Sequence, residues 1–221
     1  MEHDNAWWAA ANPTGYTVVQ LGHSALRTRA EPVPEEAFGT VELASFLQNM
    51  VHTLRTQQGV GLAAPQVGVT RRIFLTHLPE GLERRYMRCT PDPLRVWINP
   101  SWEALEESPL GGMEGCLSIP HYIGRVLRPS RIRVQGQDHH GKPQTATLDG
   151  WNARVFLHEW DHLEGTLYLD RLAPSSKGHP ELYHKSSWEQ TEHAHRAAGD
   201  HVWLRERSLL PWDDVVETDE A

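Results

Sequence analysis

The pentapeptide HEWDH at residues 158–162 constrains the fold of this chain more than any other stretch of it. On an α-helix, His158 and His162 stand four residues apart and project from one face, so two imidazole nitrogens converge on a single cation with Glu159 beside them. Trp151, Val155 and Phe156 supply apolar neighbours ahead of the motif, and the spacing predicts a buried helix over roughly Trp151 to Leu163, bounded by Gly150 and Gly165. Among 14 histidines an i, i+4 pair also arises by chance. The intervening glutamate favours a metal site, because it is the residue type that takes a proton from an acidified water.

Two histidines do not complete a catalytic zinc-like site; a third protein ligand is expected, with one position left for water. In one class of metalloproteases the motif continues as HExxHxxGxxH. Here Gly165 is in place, but Tyr168 stands where the third histidine belongs. Glu181 and Glu189 downstream are surrounded by no motif. Upstream, EGCLSIP (Glu114–Pro120) sets Cys116 after a glycine and before an apolar, strand-like stretch that would offer its thiolate from an extended backbone. An isolated cysteine is more often simply buried and inert, which leaves both readings open at this point. A third segment, GVGLAAPQVG (Gly59–Gly68), combines glycines that admit close backbone approach with the amide donor of Gln66. It lacks the GK[ST] of a phosphate cradle and the spacing of a dinucleotide fingerprint.

Taken together, GVGLAAPQ, EGCLS and HEWDH resemble the peptide deformylases, whose motifs GxGLAAxQ, EGCLS and HExDH occur in this order. The likeness runs from about Val18 through WINP (Trp97–Pro100) to GTLYLDRL (Gly165–Leu172). It implies a catalytic domain over 1–172, followed by an extension over 173–221 of unknown role and partly helical. The implied fold is α+β: antiparallel β-sheets around a central metal-binding HExDH helix, with an N-terminal helix outside. The implied activity is hydrolysis of the formyl group of N-formylmethionine on new polypeptides.

Carried over by position, the resemblance makes Cys116, His158 and His162 the metal ligands and Glu159 the general base and then acid for a metal-bound water. The Gln66 amide and the Leu117 backbone N–H would stabilise the oxyanion. Val60, Gly61 and Glu114 would contact substrate, with the backbone around Val60 and Gly61 pairing with an extended peptide. A Cys/His₂ donor set suits one divalent ion, Fe²⁺, Zn²⁺, Ni²⁺ or Co²⁺; the resemblance implies Fe²⁺. Three departures stand out. Leu157 replaces the glutamine usual before the first metal histidine, Ile123 replaces an arginine common before Gly124, and the acidic end WDDVVETDEA gives no ground for ribosome docking. The competing readings are a metallopeptidase cutting ordinary peptide bonds and a metal-binding relative that holds N-terminal peptides without turnover. Intact Glu159, Gln66 and Cys116 argue against the second.

Composition agrees with an enzyme rather than a nucleic-acid binder. The 221 residues suffice for one sizeable core plus a tail, and 21 basic against 29 acidic residues give a net charge of −8, opposite to what phosphate binding wants. The run RERS (Arg205–Ser208) reads as solvated. Two cysteines build no disulfide framework, and Cys89, in the polar stretch MRCTPDP, reads as a surface or loop thiol suited to a reducing compartment. No secretory or transit signal and no membrane span is read from the sequence, so the cytoplasm is the expected location.

Leu43, Phe46, Leu47, Met50 and Leu54 at helical spacing predict an amphipathic helix over about Thr40 to Gln57, ended by Gly59. Strands are expected at Arg72–Thr76, Arg95–Ile98, Arg131–Gln137 and Gln144–Leu148, the last two joined by a turn at Asp138–Lys142. In the tail, PELYHKSSWEQTEHAHRAAG reads as a helix that Trp188 packs onto the core, with His193 and His195 solvated rather than metal-bound. Trp7, Trp8, Trp203 and Trp212 are candidate anchors for the terminal arms, on the core or on a second subunit; they set no oligomeric state.

Overall fold

The computed structural model describes residues 14–81, 89–106 and 109–200. Helix α1 (Val41–Thr56) starts at Thr40, whose hydroxyl accepts from the Leu43 N–H, and buries Leu43, Leu47, Met50, Val51 and Leu54. Past its end the Gly59 N–H bonds the Leu54 carbonyl, and the chain enters strand β1 (Gly61–Ala63). Four further strands complete a five-stranded sheet: β2 (Ile73–Leu78), β3 (Asp92–Ala104), β6 (Arg131–Gln137) and β7 (Pro143–Asp149), in the order β1-β2-β3-β6-β7 with every pair antiparallel. Between β3 and β6, strands β4 (Pro109–Cys116) and β5 (Ile119–Pro129) form a long hairpin that starts a second sheet, extended by β8 (Leu182–His184).

Helix α2 (Gly150–Leu163) carries the HEWDH motif and is buried along most of its length between the two sheets. One face packs Ala153, Phe156 and Leu157 into a core with Phe74, Trp97, Ile132 and Val134. Phe156 meets Phe74 and Trp97 edge-on, with ring centroids 5.0 and 5.2 Å apart. The opposite face presents the histidines to β4 and β5. Leu157 therefore lies wholly in the apolar core, and apolar packing stands where the family's usual glutamine would be polar.

The expected helices and strands are all present, as α1, α2, β2, β3, β6 and β7, and the antiparallel α+β class is as expected. The turn at 138–142 is held by Asp138, whose Oδ1 accepts from the His140 and Lys142 N–H groups. The strand-like stretch expected after Cys116 is β5, one arm of the β4–β5 hairpin. Two points differ. Cys89 is buried rather than exposed, packed with Leu78 and Val155, because the second face of β2 needs apolar cover at that end. The tail helix expected from PELYH onward begins only at Lys185, as α3 (Lys185–Ala197), because Leu182–His184 pair with β5 as β8; Trp188 is buried against Met113 and Ile123. The RERS run and Trp7, Trp8, Trp203 and Trp212 lie outside the described residues. Among the described residues no helix is long and apolar enough to cross a membrane.

Candidate active site and metal centre

Cys116 ends β4 at the tight turn into β5, while His158 and His162 face it from α2. Their ligand atoms all lie within 4.8 Å of one another, with Cys116 Sγ 3.4 Å from His162 Nε2. All three residues are buried. His158 Nδ1 is 2.9 Å from Glu114 Oε2, so Nδ1–H donates to the carboxylate and Nε2 keeps its lone pair for a cation. Burial, then the charges of His158 and Arg128, hold His162 well below its ordinary range and hence neutral, the form that ligates. Burial opposes charge on His158, but the hydrogen bonds it donates to Cys116 and Glu114 outweigh it and raise its pKa.

A soft thiolate and two imidazoles in one buried cluster fit a divalent transition metal. One orphaned atom points the same way: among the described residues, Glu159 Oε2 is buried with no hydrogen-bond partner. Glu159 lies beside the cluster, and burial pushes its carboxyl up to about 7, against the pull of His158 and with a further push from Glu114. Its other oxygen explains one residue of the glycine-rich segment. A Cβ at Gly61 would fall 2.3 Å from Glu159 Oε1, so only glycine admits the carboxylate.

Gln66 is almost fully buried, its Oε1 accepting from the Ala63 N–H at 2.8 Å and its Nε2 aimed at Cys116 Sγ (3.4 Å) and Ser118 Oγ (3.5 Å). The amide is thus oriented with its donors toward the cluster. Leu117 follows Cys116 at the hairpin turn and lines the same cleft, a cavity of about 410 Å³ that also takes in Val60, Gly61, Gln66, His158 and Glu159. Val60 spends its carbonyl on the His77 N–H, while β1 is the edge strand of its sheet.

Glu114, expected at the substrate, lines the same cleft, with its carboxylate held by basic side chains. Arg128 Nε and Nη2 donate to its two oxygens at 2.9 Å each, Arg154 Nη1 at 2.8 Å and His158 completes the set. Burial raises its pKa, but the Arg128 charge and hydrogen bonds win and hold it well below the carboxylate range. Arg128 also donates to Asp161 Oδ2 at 2.6 Å, and Arg171 clamps the same carboxylate at 2.6 and 2.8 Å. This chain of ion pairs ties β4, β5 and α2 together behind His158 and His162. It was not foreseen, although Glu114 and Asp161 are carboxylates inside apolar motifs and so required cationic partners. Replacing Arg128 with methionine would leave Glu114 to Arg154 and His158 and Asp161 to Arg171, a buried network short of one positive charge, and the expected loss is about 3–5 kcal/mol of stability, measured by denaturant unfolding.

Tyr168 is no ligand; it stacks near His158, with centroids 6.1 Å apart, and its hydroxyl donates to the Tyr122 carbonyl. Glu181 and Glu189 are absent from the ligand cluster. Glu181 is buried beside Arg125, and Glu189 lies on α3 at the cleft wall. His195, on the same helix, is 2.9 Å from Asp200.

Residues 16–178 match the family model described as polypeptide deformylase. The chain belongs to that family. It is 41% identical over 157 residues to peptide deformylase 3 of Streptomyces avermitilis, with 70% of each chain covered. It is 36% identical over 162 residues to the mitochondrial peptide deformylase of Homo sapiens, covering 70% of this chain and 67% of the relative. Among solved structures, the Thermotoga maritima peptide deformylase is similar with a TM-score of 0.63 at 34% identity, covering 72% of this chain and 99% of the other. The actinonin-bound class I type b peptide deformylase of Acinetobacter baumannii has a TM-score of 0.63 at 28% identity, again with 72% and 99% covered. The polypeptide deformylase family is one of hydrolases, and this chain is an enzyme of that kind.

Proposed function

We propose that this enzyme removes the formyl group from N-formylmethionine at the start of newly made polypeptides and releases formate. The observation that carries the reading is the convergence of Cys116, His158 and His162 on one point beside the orphaned carboxylate of Glu159, with the Gln66 amide aimed at it. Cys116, His158 and His162 would hold one divalent ion, for which Fe²⁺ is proposed. When bound, that ion supplies Lewis-acid chemistry, lowering the pKa of a water toward neutrality and polarising a carbonyl.

The chain's own residues do the rest. Glu159, held in a dry site with a raised pKa, takes a proton as the water oxygen bonds the formyl carbon, and returns it to the amine nitrogen as the C–N bond breaks. The Gln66 side-chain N–H and the Leu117 backbone N–H donate to the carbonyl oxygen as it gains charge. The open edge of β1, around Val60 and Gly61, takes the extended chain by strand addition, which binds without reading much sequence. Glu114 serves as the orienter of His158 in place of a substrate contact. The apolar cover given by Met113, Trp151 and Val155 in the cleft suits the methionine side chain. The location proposed for this activity is the cytoplasm.

The test compares formyl-Met-Ala-Ser with its acetylated and free-amine counterparts and with internal peptide bonds. Formate from the first alone supports the reading. Exclusive cleavage of internal bonds would replace it with a metallopeptidase.

A further inference from the structure

The active-site cleft has a wall that lies beyond the family match. That match ends at residue 178, yet Lys185, Trp188, Glu189 and Glu192 of α3 line the same cleft as Cys116 and Glu159. The wall is firmly placed. β8 runs directly into α3 and pairs with β5 in the register Ile123↔Tyr183, and Trp188 is buried against Met113 and Ile123. Lys185, the first residue of α3, is exposed, and its stem crosses the β4–β5 hairpin one residue before a metal ligand. A Cβ built at Gly115 would lie 3.8 Å from Lys185 Cε, and Gly115 is the pairing partner of Ile123.

A peptide added to the edge of β1 satisfies that edge with only every other residue; the carbonyls between point across the cleft to the opposite side. The opposite side is the β4–β5 hairpin and α3. A lysine there offers three donors on a flexible stem, able to meet a main-chain oxygen whatever the side chains are. Among the described residues Lys185 has no ion pair that would hold its ammonium elsewhere.

We propose that Lys185 is a substrate-positioning residue that donates to a main-chain carbonyl downstream of the formylated methionine. Selectivity for a polypeptide over a free formylated amino acid then resides partly on α3, outside the family's shared region. The proposal rests on the deformylase reading above.

The test is Lys185→Met, which keeps the stem and removes the donor, assayed for formate release from formyl-Met-Ala-Ser amide and from formyl-methioninamide. KM for the tripeptide amide is expected to rise about tenfold, with kcat changed by less than about twofold. KM for formyl-methioninamide, which has no downstream carbonyl, should not move, and Lys185→Arg should keep most of the affinity for the longer substrate. An unchanged tripeptide KM, an equal rise on both substrates, or an effect confined to the free-acid tripeptide would each overturn the proposal. Wild-type enzyme that releases no formate from either substrate would instead remove the deformylase reading, and this inference with it.

Discussion

Glu159→Ala is expected to lower formate release by about 10²–10⁴ while leaving the bound metal at wild-type stoichiometry. The two halves of that expectation come from different features. Glu159 is outside the cluster of ligand atoms, so its removal leaves Cys116, His158 and His162 able to hold the ion. Its carboxylate is nevertheless buried with one oxygen unpartnered and the other packed against the space that Gly61 leaves open, so alanine removes the residue best placed to move a proton. The fold should tolerate the change, because a carboxyl pushed up to about 7 by burial is itself costly to keep in the core. Steady-state formate assays with metal analysis on the same preparation check both halves. Loss of metal along with activity would make Glu159 a structural support of the site.

Cys116→Ala should have a different signature: metal content and formate release fall together to background. Among the described residues Cys116 is the only proposed ligand from the second sheet, and the histidines alone would leave a site two donors short of tetrahedral. Unlike Arg128, whose loss removes a positive charge shared by two buried acids, Cys116 takes part in no ion pair among the described residues, and truncating a small buried side chain costs little by comparison. Thermal unfolding of the apo forms should therefore be similar for wild type and variant, while added Fe²⁺ or Ni²⁺ raises the midpoint of wild type alone. An apo variant that is already unfolded would assign Cys116 to the core instead.

Much of this site was legible because its chemistry is written in short, local patterns. HEWDH has to be helical for its histidines to meet, and the apolar residues before it say that the helix is buried. The glutamine of GVGLAAPQ and the cysteine of EGCLS needed the family resemblance to acquire roles, since each alone is an ordinary loop or core residue. Features built by tertiary contact were not legible. The resemblance made Glu114 a substrate contact, and the two arginines from β5 and α2 that hold its carboxylate are distant in sequence. Cys89 sits in a polar stretch whose neighbours predict exposure, and only the packing of Leu78 and Val155 buries it. The contribution of α3 to the cleft follows from β8 pairing with β5, and a three-residue strand carries no periodicity to betray it.

The most direct test of the account is anaerobic purification with metal analysis, followed at once by formate release from formyl-Met-Ala-Ser with and without added Fe²⁺ or Ni²⁺. The account predicts activity in proportion to bound metal, up to one ion per chain, lost on chelation and regained on adding the ion back. Stoichiometric metal with no formate released would contradict it, leaving a protein that binds peptides at a metal centre without turning them over.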